Sequence, residues 1–331
     1  MLSALLCSAV LFMVPMQDEP AAKVGVGSVV PDYEFAELLG GDGRLSMNDF
    51  RGHPVLIVNW TDSDFGRGAA EQLQKVAKEL VPQGLVSILH DSHNKTRDDI
   101  EAAVLRRFPG NRSWLTRTRN LPFDYEDNGP PPDIALVGVD GTVLIAGSYT
   151  VDFGPAVKAV KTELKKRKSG WGEHKVARKA RALAFGDGAL QRAYAMLVSA
   201  LSDEPDHEEL GVALDDVTTA YLGRSGAVTH LLETGHPARA HEIARDLVRD
   251  VAGHKRWEPE ATKLLKRFDE KAVKEEIERD EKLTSTLKPL AKSKPKATHV
   301  KKLRKLAEQW GDSPVGRRAA HLADMAERAS G

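Results

Sequence analysis

Apolar positions in the first half of the chain switch between two periods. The run "VLIVNW" (Val55 to Trp60) is dense enough to be a buried strand. Ala69, Ala70, Leu73, Val76, Ala77 and Leu80 then recur at helical spacing until Pro82 and Gly84 stop them. "GLVSILH" predicts a second buried strand, and "TRDDIEAAVLRRF" a helix with Thr96 as its N-cap and one apolar face. Asp140 and Gly141 predict a hairpin turn between two apolar strands, Ile134 to Val139 and Thr142 to Ala146, and a helix from Phe153 to about Lys168 closes the unit. Upstream lie a short extended run, a turn at Gly40 to Gly43 and a capped turn at Ser46. Strands alternating with helices predict an α/β fold with a largely parallel central sheet.

Beyond "KSGWGE" every segment reads as helix. Apolar stripes run through Ala189, Ala193, Met196, Leu197, Ala200 and Leu201, through Leu210, Leu214, Val217 and Tyr221, and through Ala240, Ile243, Ala244, Leu247, Val248 and Val251. Others follow at Leu264, Leu265 and Phe268, at Val300, Leu303, Leu306, Ala307 and Trp310, and at Val315, Ala319, Leu322 and Ala323. Stops are expected at Gly186 to Gly188, Pro205, Gly223 to Gly226, Gly235 to Pro237, Pro259, "KSKPKA" and "GDSP", which leaves helices of about ten to eighteen residues. This is the pattern of stacked helical hairpins, and "TGHPARAHEIARDLV" and "WGDSPVGRRAAHLADMA" resemble tetratricopeptide-type helices without a strict 34-residue period. The expected organisation is an N-terminal signal segment 1–22, an α/β domain 23–168 and an all-α domain 169–331. "LKPLAKSKPKA" is the candidate mobile loop of the second domain.

Charge and cysteine content narrow the function. With 48 basic and 48 acidic residues the net charge is zero, which excludes a uniformly basic nucleic-acid binder. Charge is nonetheless blocked: Lys158 to Arg181 and Lys288 to Lys305 are basic, and Asp203 to Asp216 is acidic. These blocks read as solvated helix faces, or as a docking surface for an acidic partner. The apolar run Leu2 to Val14 has the length of a secretory segment, not of a membrane span, and predicts a secreted or periplasmic protein, or one anchored by an uncleaved N-terminus. Cys7 lies inside that segment and is the one cysteine of the chain, so its removal leaves neither disulfides nor thiol chemistry.

Three collinear stretches, "VGSVVPDYEF", "LSMNDFRGHPVLIVNW" and "PPDIALVGVDGTVL", resemble the secreted thiol-disulfide oxidoreductase and redoxin branch of the thioredoxin superfamily, over about 145 residues. The resemblance implies a central mixed sheet flanked by helices, with a Cys-x-x-Cys pair at the start of the first helix. Counted from Trp60, that pair falls on Asp64 and Arg67, so neither position carries sulfur. A thiolate at a helix N-terminus is stabilised by unpaired N–H groups and the helix dipole; Asp64 keeps a negative charge there and loses the nucleophile. Asp62 and Ser63 compete with Asp64 for the cap, and Arg67 is placed to pair with Asp62 or Asp64. The resemblance also puts Pro132 at the cis-proline position. Pro131 before it has no N–H to offer an extended peptide.

His90, Asp91 and His93, in "LHDSH" at a strand end, are the candidate metal ligands, although short spacings on a strand do not converge as two His at i and i+4 on a helix do. No phosphate loop, nucleophilic triad or catalytic carboxylate pair stands out, and no cofactor is expected. The leading expectation is a non-catalytic binding or scaffold protein with its helical domain facing a protein partner. The alternatives are a structural subunit acting with a cysteine-bearing partner in thiol-disulfide or peroxide metabolism, and a metal-binding protein or enzyme built around Asp64, Arg67, His90 and His93.

Overall fold

A computed structural model describes residues 23–35, 37–60, 64–91, 95–108, 110–111, 113–117, 121–125, 133–148 and 153–330, and the backbone alone of 64–66. Five strands, β1 (Val55–Trp60), β2 (Val86–Asp91), β3 (Trp114–Thr116), β4 (Asp133–Val137) and β5 (Val143–Ser148), form one sheet in the order β3-β2-β1-β4-β5. β1, β2 and β3 run parallel, while β4 pairs antiparallel with both β1 and β5. The sheet is therefore mixed, in the thioredoxin-like arrangement.

All six residues of β1 are buried because both faces of the sheet are covered. Leu56, Val58 and Trp60 pack with α1 (Asp64–Leu80), α2 (Arg97–Arg107) and α3 (Gly154–Ser169). Val55 and Ile57 face the opposite way, against Val30, Tyr33, Phe35 and Phe50 of the irregular N-terminal stretch and Phe123 of a later loop. Thr96 caps α2 as expected, its hydroxyl accepting from the Asp99 N–H at 3.2 Å. Ser46 and Asp49 cap the turn Asn48–Phe50 reciprocally: Asp49 N–H donates to Ser46 Oγ at 3.2 Å and Ser46 N–H to Asp49 Oδ2 at 3.0 Å.

The remainder is helical: α4 (Lys175–Arg181), continued by a π-helical turn over Ala182–Gly186, α5 (Leu190–Asp203), α6 (Glu208–Glu233), α7 (Pro237–Asp250), α8 (Trp257–Lys266), α9 (Lys271–Leu287), α10 (Ala297–Trp310) and α11 (Pro314–Ser330). Two expected stops are absent, for physical reasons. α6 runs 26 residues straight through Gly223 and Gly226. At Gly223 a methyl group would lie 2.7 Å from Asp49 Oδ1, so this glycine serves the close approach of α6 to the sheet domain. Pro259 sits in the first turn of α8, where its missing N–H has no intrahelical acceptor to lose.

The helices also fold back onto the sheet domain. α6 packs on the Asn48–Phe50 turn, α3 on the π-helical turn and α11 on α2. Leu105 of α2 joins the core of α9, α10 and α11, and Val139 joins the core of α4 to α6. At α11, His321 bonds Glu101, which holds the imidazole above its usual range, and Arg328 pairs with Asp98 at 3.0 Å. The charge blocks meet each other here instead of facing only solvent. Buried Arg181 of the basic block donates to buried Asp216 of the acidic block at 2.8 Å and lies 3.3 Å from Glu209. Among the described residues no helix is long and apolar enough to cross a membrane.

Candidate functional site

The C-terminal ends of β1 and β2 and the start of β4 come together where α1 begins. Asp64 is the first residue of α1, at the expected position of the lost nucleophile, and its side chain lies outside the described residues. So do Asp62, Ser63, His93, Pro131 and Pro132, named above for capping, metal binding and the cis-proline position. The expected pairing of Arg67 with Asp62 or Asp64 lies outside the described residues; Arg67 is exposed and pairs with Glu71 one turn on at 3.0 Å. Such a surface pair is worth about 0.2–0.5 kcal/mol, so Arg67 is anchored lightly and carries no buried charge.

His90 and Asp91 are not brought to one face of the sheet. They are consecutive residues of β2, and consecutive strand side chains project to opposite faces. His90 lies on the side of Ile88 and Asp91 on the side of Leu89, so two of the three candidate ligands diverge across the sheet.

His90 instead joins a polar line that sequence reasoning missed. Asn59 is its direct partner in the β1–β2 register, and the Asn59 amide bridges two neighbours: its NH2 donates to Asp133 Oδ2 at 3.1 Å and its Oδ1 faces His90 Nδ1. With the amide nitrogen committed to Asp133, Oδ1 must accept, so His90 carries its proton on Nδ1. Burial pushes the Asp133 carboxyl up, opposed by the Asn59 bond, and burial followed by the charge of Asp133 pushes the nearby Tyr125 phenol up. Tyr125 OH and Asp133 Oδ1 have no hydrogen-bond partner among the described residues. The set can hold and pass a proton or bind a polar group, but it contains no nucleophile. Its sequence signal was present in the motifs already quoted, since Asn59 precedes Trp60 and Asp133 follows Pro132.

A second feature lies between the sheet domain and the helices: a cavity of about 370 Å³ lined by Arg44, Arg51, His53 and Arg167 on one side and by Phe185, Asp187, Arg224 and Arg239 on the other. Most of its cations are matched. Arg44 grips Asp42 through Nε and Nη2, at 2.8–3.1 Å, Arg224 pairs with Asp250 and Arg239 with Glu242. Burial would raise Asp42, but Arg44 outweighs it and holds the carboxyl below its usual range. Arg167 is different. Its Nε is buried without a partner among the described residues, and burial and then the charge of Arg44 lower its proton affinity. His53 donates Nδ1–H to the Gly84 carbonyl at 2.9 Å, and burial together with Arg44 and Arg167 keeps it well below the usual imidazole range. The pocket is thus a neutral imidazole beside an uncompensated guanidinium.

No family model matches the chain, and no curated protein matches it. Solved structures do. A thiol:disulfide interchange protein from Chlorobium tepidum aligns at 15% identity and TM-score 0.31 over 43% of this chain and 96% of that one. The thioredoxin domain of a thiol-disulfide oxidoreductase from Bacteroides vulgatus aligns at 18% identity and TM-score 0.32, covering 42% and 98%. A thiol-disulfide isomerase from Corynebacterium glutamicum aligns at 17% identity and TM-score 0.35, covering 42% and 96%. By its strand order, its hairpin and the helices on its sheet, the first half of this chain has the thioredoxin-like fold, joined to a helical second half, in a chain whose one cysteine is Cys7.

Proposed function

We propose that this is a non-catalytic, thioredoxin-fold binding protein of the cell envelope that acts by holding a partner. The observation that carries the reading is that the chain's one cysteine is Cys7, so the start of α1 holds Asp64 and an Arg67 tied to Glu71 where the resemblance expects a thiol pair. Thiol exchange needs a thiolate to attack and a second thiol to resolve, and the folded domain offers neither. The surface left by α7 to α10 after α6 and α11 have packed on the sheet domain is the proposed contact for a protein partner. A tag-free Cys7→Ala protein is expected to reduce insulin and peroxide no faster than buffer, and co-purification from the native host is expected to bring down a partner. Turnover by that variant removes the proposal; recovery of a cysteine-bearing oxidoreductase as the partner shifts it to a structural subunit.

A second reading rests on the cavity: a small anionic metabolite, a carboxylate or phosphate, would satisfy Arg167. A half-buried guanidinium whose buried Nε has no partner among the described residues is poorly compensated, so Arg167→Met is expected to melt no lower than the parent in chloride. Phosphate or citrate at matched ionic strength is expected to raise the melting temperature of the parent only, in line with about 2.7 kcal/mol at a hundredfold excess over Kd. An equal response of both proteins would show that the cavity is not the binding place.

A further inference from the structure

We propose that the junction of α4, α5 and α6 is a site for a divalent transition metal, zinc foremost, with His174, Glu204 and His207 as its protein ligands. One ligand atom from each of the three lies within 4.8 Å of the other two. His174 Nε2 is 3.6 Å from Glu204 Oε1, and the two imidazole rings meet at 4.5 Å between centroids with 60° between their planes. Tetrahedral zinc with bonds near 2.0–2.1 Å spaces its ligand atoms about 3.3 Å apart, so small side-chain rotations close the set. The residue least constrained by packing, Glu204, is the one that must move most freely, its side chain being 52% exposed.

Three further observations point to a ligand here. His207 Nδ1 is buried and has no hydrogen-bond partner among the described residues, an orphaned nitrogen whose lone pair, with the proton on Nε2, a bound cation would satisfy. The backbone carrying the ligands is already braced: the His174 N–H donates to Glu209 Oε2 at 2.8 Å, and the same carboxylate's Oε1 lies 3.3 Å from Arg181. Asp203, Asp206 and Glu208 flank the two C-terminal ligands in sequence, so the acidic block creates a negative field at the positive N-terminus of α6, where a cation would otherwise be disfavoured.

Each histidine occupies a helix N-cap, His174 of α4 and His207 of α6, and Glu204 is the C-cap of α5. A bound ion would staple three helix ends. Coordination through His174 Nε2 puts its proton on Nδ1 and gives up the cap to the Ala177 N–H, a contact already stretched to 3.5 Å. The three side chains are borderline and hard donors, the set that suits zinc with a fourth position left for water or a partner's side chain.

The test uses the tag-free full chain, stripped with EDTA and titrated with zinc chloride against a chromophoric chelator. One zinc per chain is expected, with a rise in melting temperature. His174→Asn keeps an N-cap acceptor and loses the ligand, so it should fold normally without metal. It and His207→Gln are each expected to weaken zinc by more than about 100-fold, beyond the loss typical of outer-shell changes. His230→Gln, at the other end of α6, is expected to leave binding unchanged. Absence of stoichiometric zinc on the parent, or parent-like affinity in both ligand variants while their metal-free melting is unaltered, overturns the site.

Discussion

Replacing Gly170 by alanine is expected to lower the unfolding free energy by more than about 3 kcal/mol, since backbone strain of this kind alone costs about 1–3 kcal/mol. Gly170 ends α3 at φ 77° and ψ 165°, a region open to glycine and closed to residues with a Cβ. A methyl group there would lie 1.8 Å from the Arg178 carbonyl oxygen and 2.8 Å from its carbon. Both are backbone atoms of α4, so relief requires prising α4 from the end of α3, the point at which the helical half leaves the sheet domain. Urea denaturation checks this, with Gly211→Ala as the internal contrast. Gly211 lies within α6 with nothing near its would-be methyl, so alanine there should stabilise by about 0.5–1 kcal/mol. A Gly170→Ala protein within 1 kcal/mol of its parent would mean that the α3–α4 junction is looser than described.

Removing Arg181 is the second large effect. Its guanidinium is 4% exposed, donates to Asp216 and to the Trp171 carbonyl, and lies 5.3 Å from the Trp171 ring centre. Arg181→Met leaves the Asp216 carboxylate buried without its ion-pair partner, with only the more distant charge of Arg51 acting on it, which costs about 3 kcal/mol at neutral pH. Burial already pushes Asp216 above its ordinary range despite Arg181, so in the variant it rises further. A carboxyl whose folded-state proton affinity exceeds its unfolded one loses stability as pH rises, so the defect should shrink toward acid pH. Urea midpoints at pH 5 and 8 measure this, and Arg181→Met with Asp216→Leu should recover most of the loss. If the double variant is no more stable than the single one, the damage is lost packing around Trp171 and not an orphaned charge.

Much of the sheet domain was legible because its signals are local. The stripe Ala69 to Leu80, the Thr96 cap and the Asp140–Gly141 turn each depend on residues a few positions apart, and each appears where its pattern put it. The same locality misled at Gly223, Gly226 and Pro259. A glycine tolerated within a helix and a proline in its first turn look like stops until the neighbouring element or the helix start is known.

The candidate sites divide along the same line. That the described residues include no cysteine is a matter of residue identity, read directly from the letters. That His90 meets Asn59, which in turn holds Asp133, while Asp91 points away depends on strand register, and register is decided by which faces the packed helices bury. Arg181 finding Asp216 across 35 residues, Arg167 finding no partner, and His174 approaching His207 across 33 positions depend on how helix ends are stacked. Composition and spacing alone thus pointed to an α/β half, a helical half and a chain whose one cysteine is Cys7, while the thioredoxin-like frame was a resemblance that the sheet order then bore out. Tertiary structure decided which charges are matched and which side chains converge, because burial and distance are properties of the packed chain and have no local code.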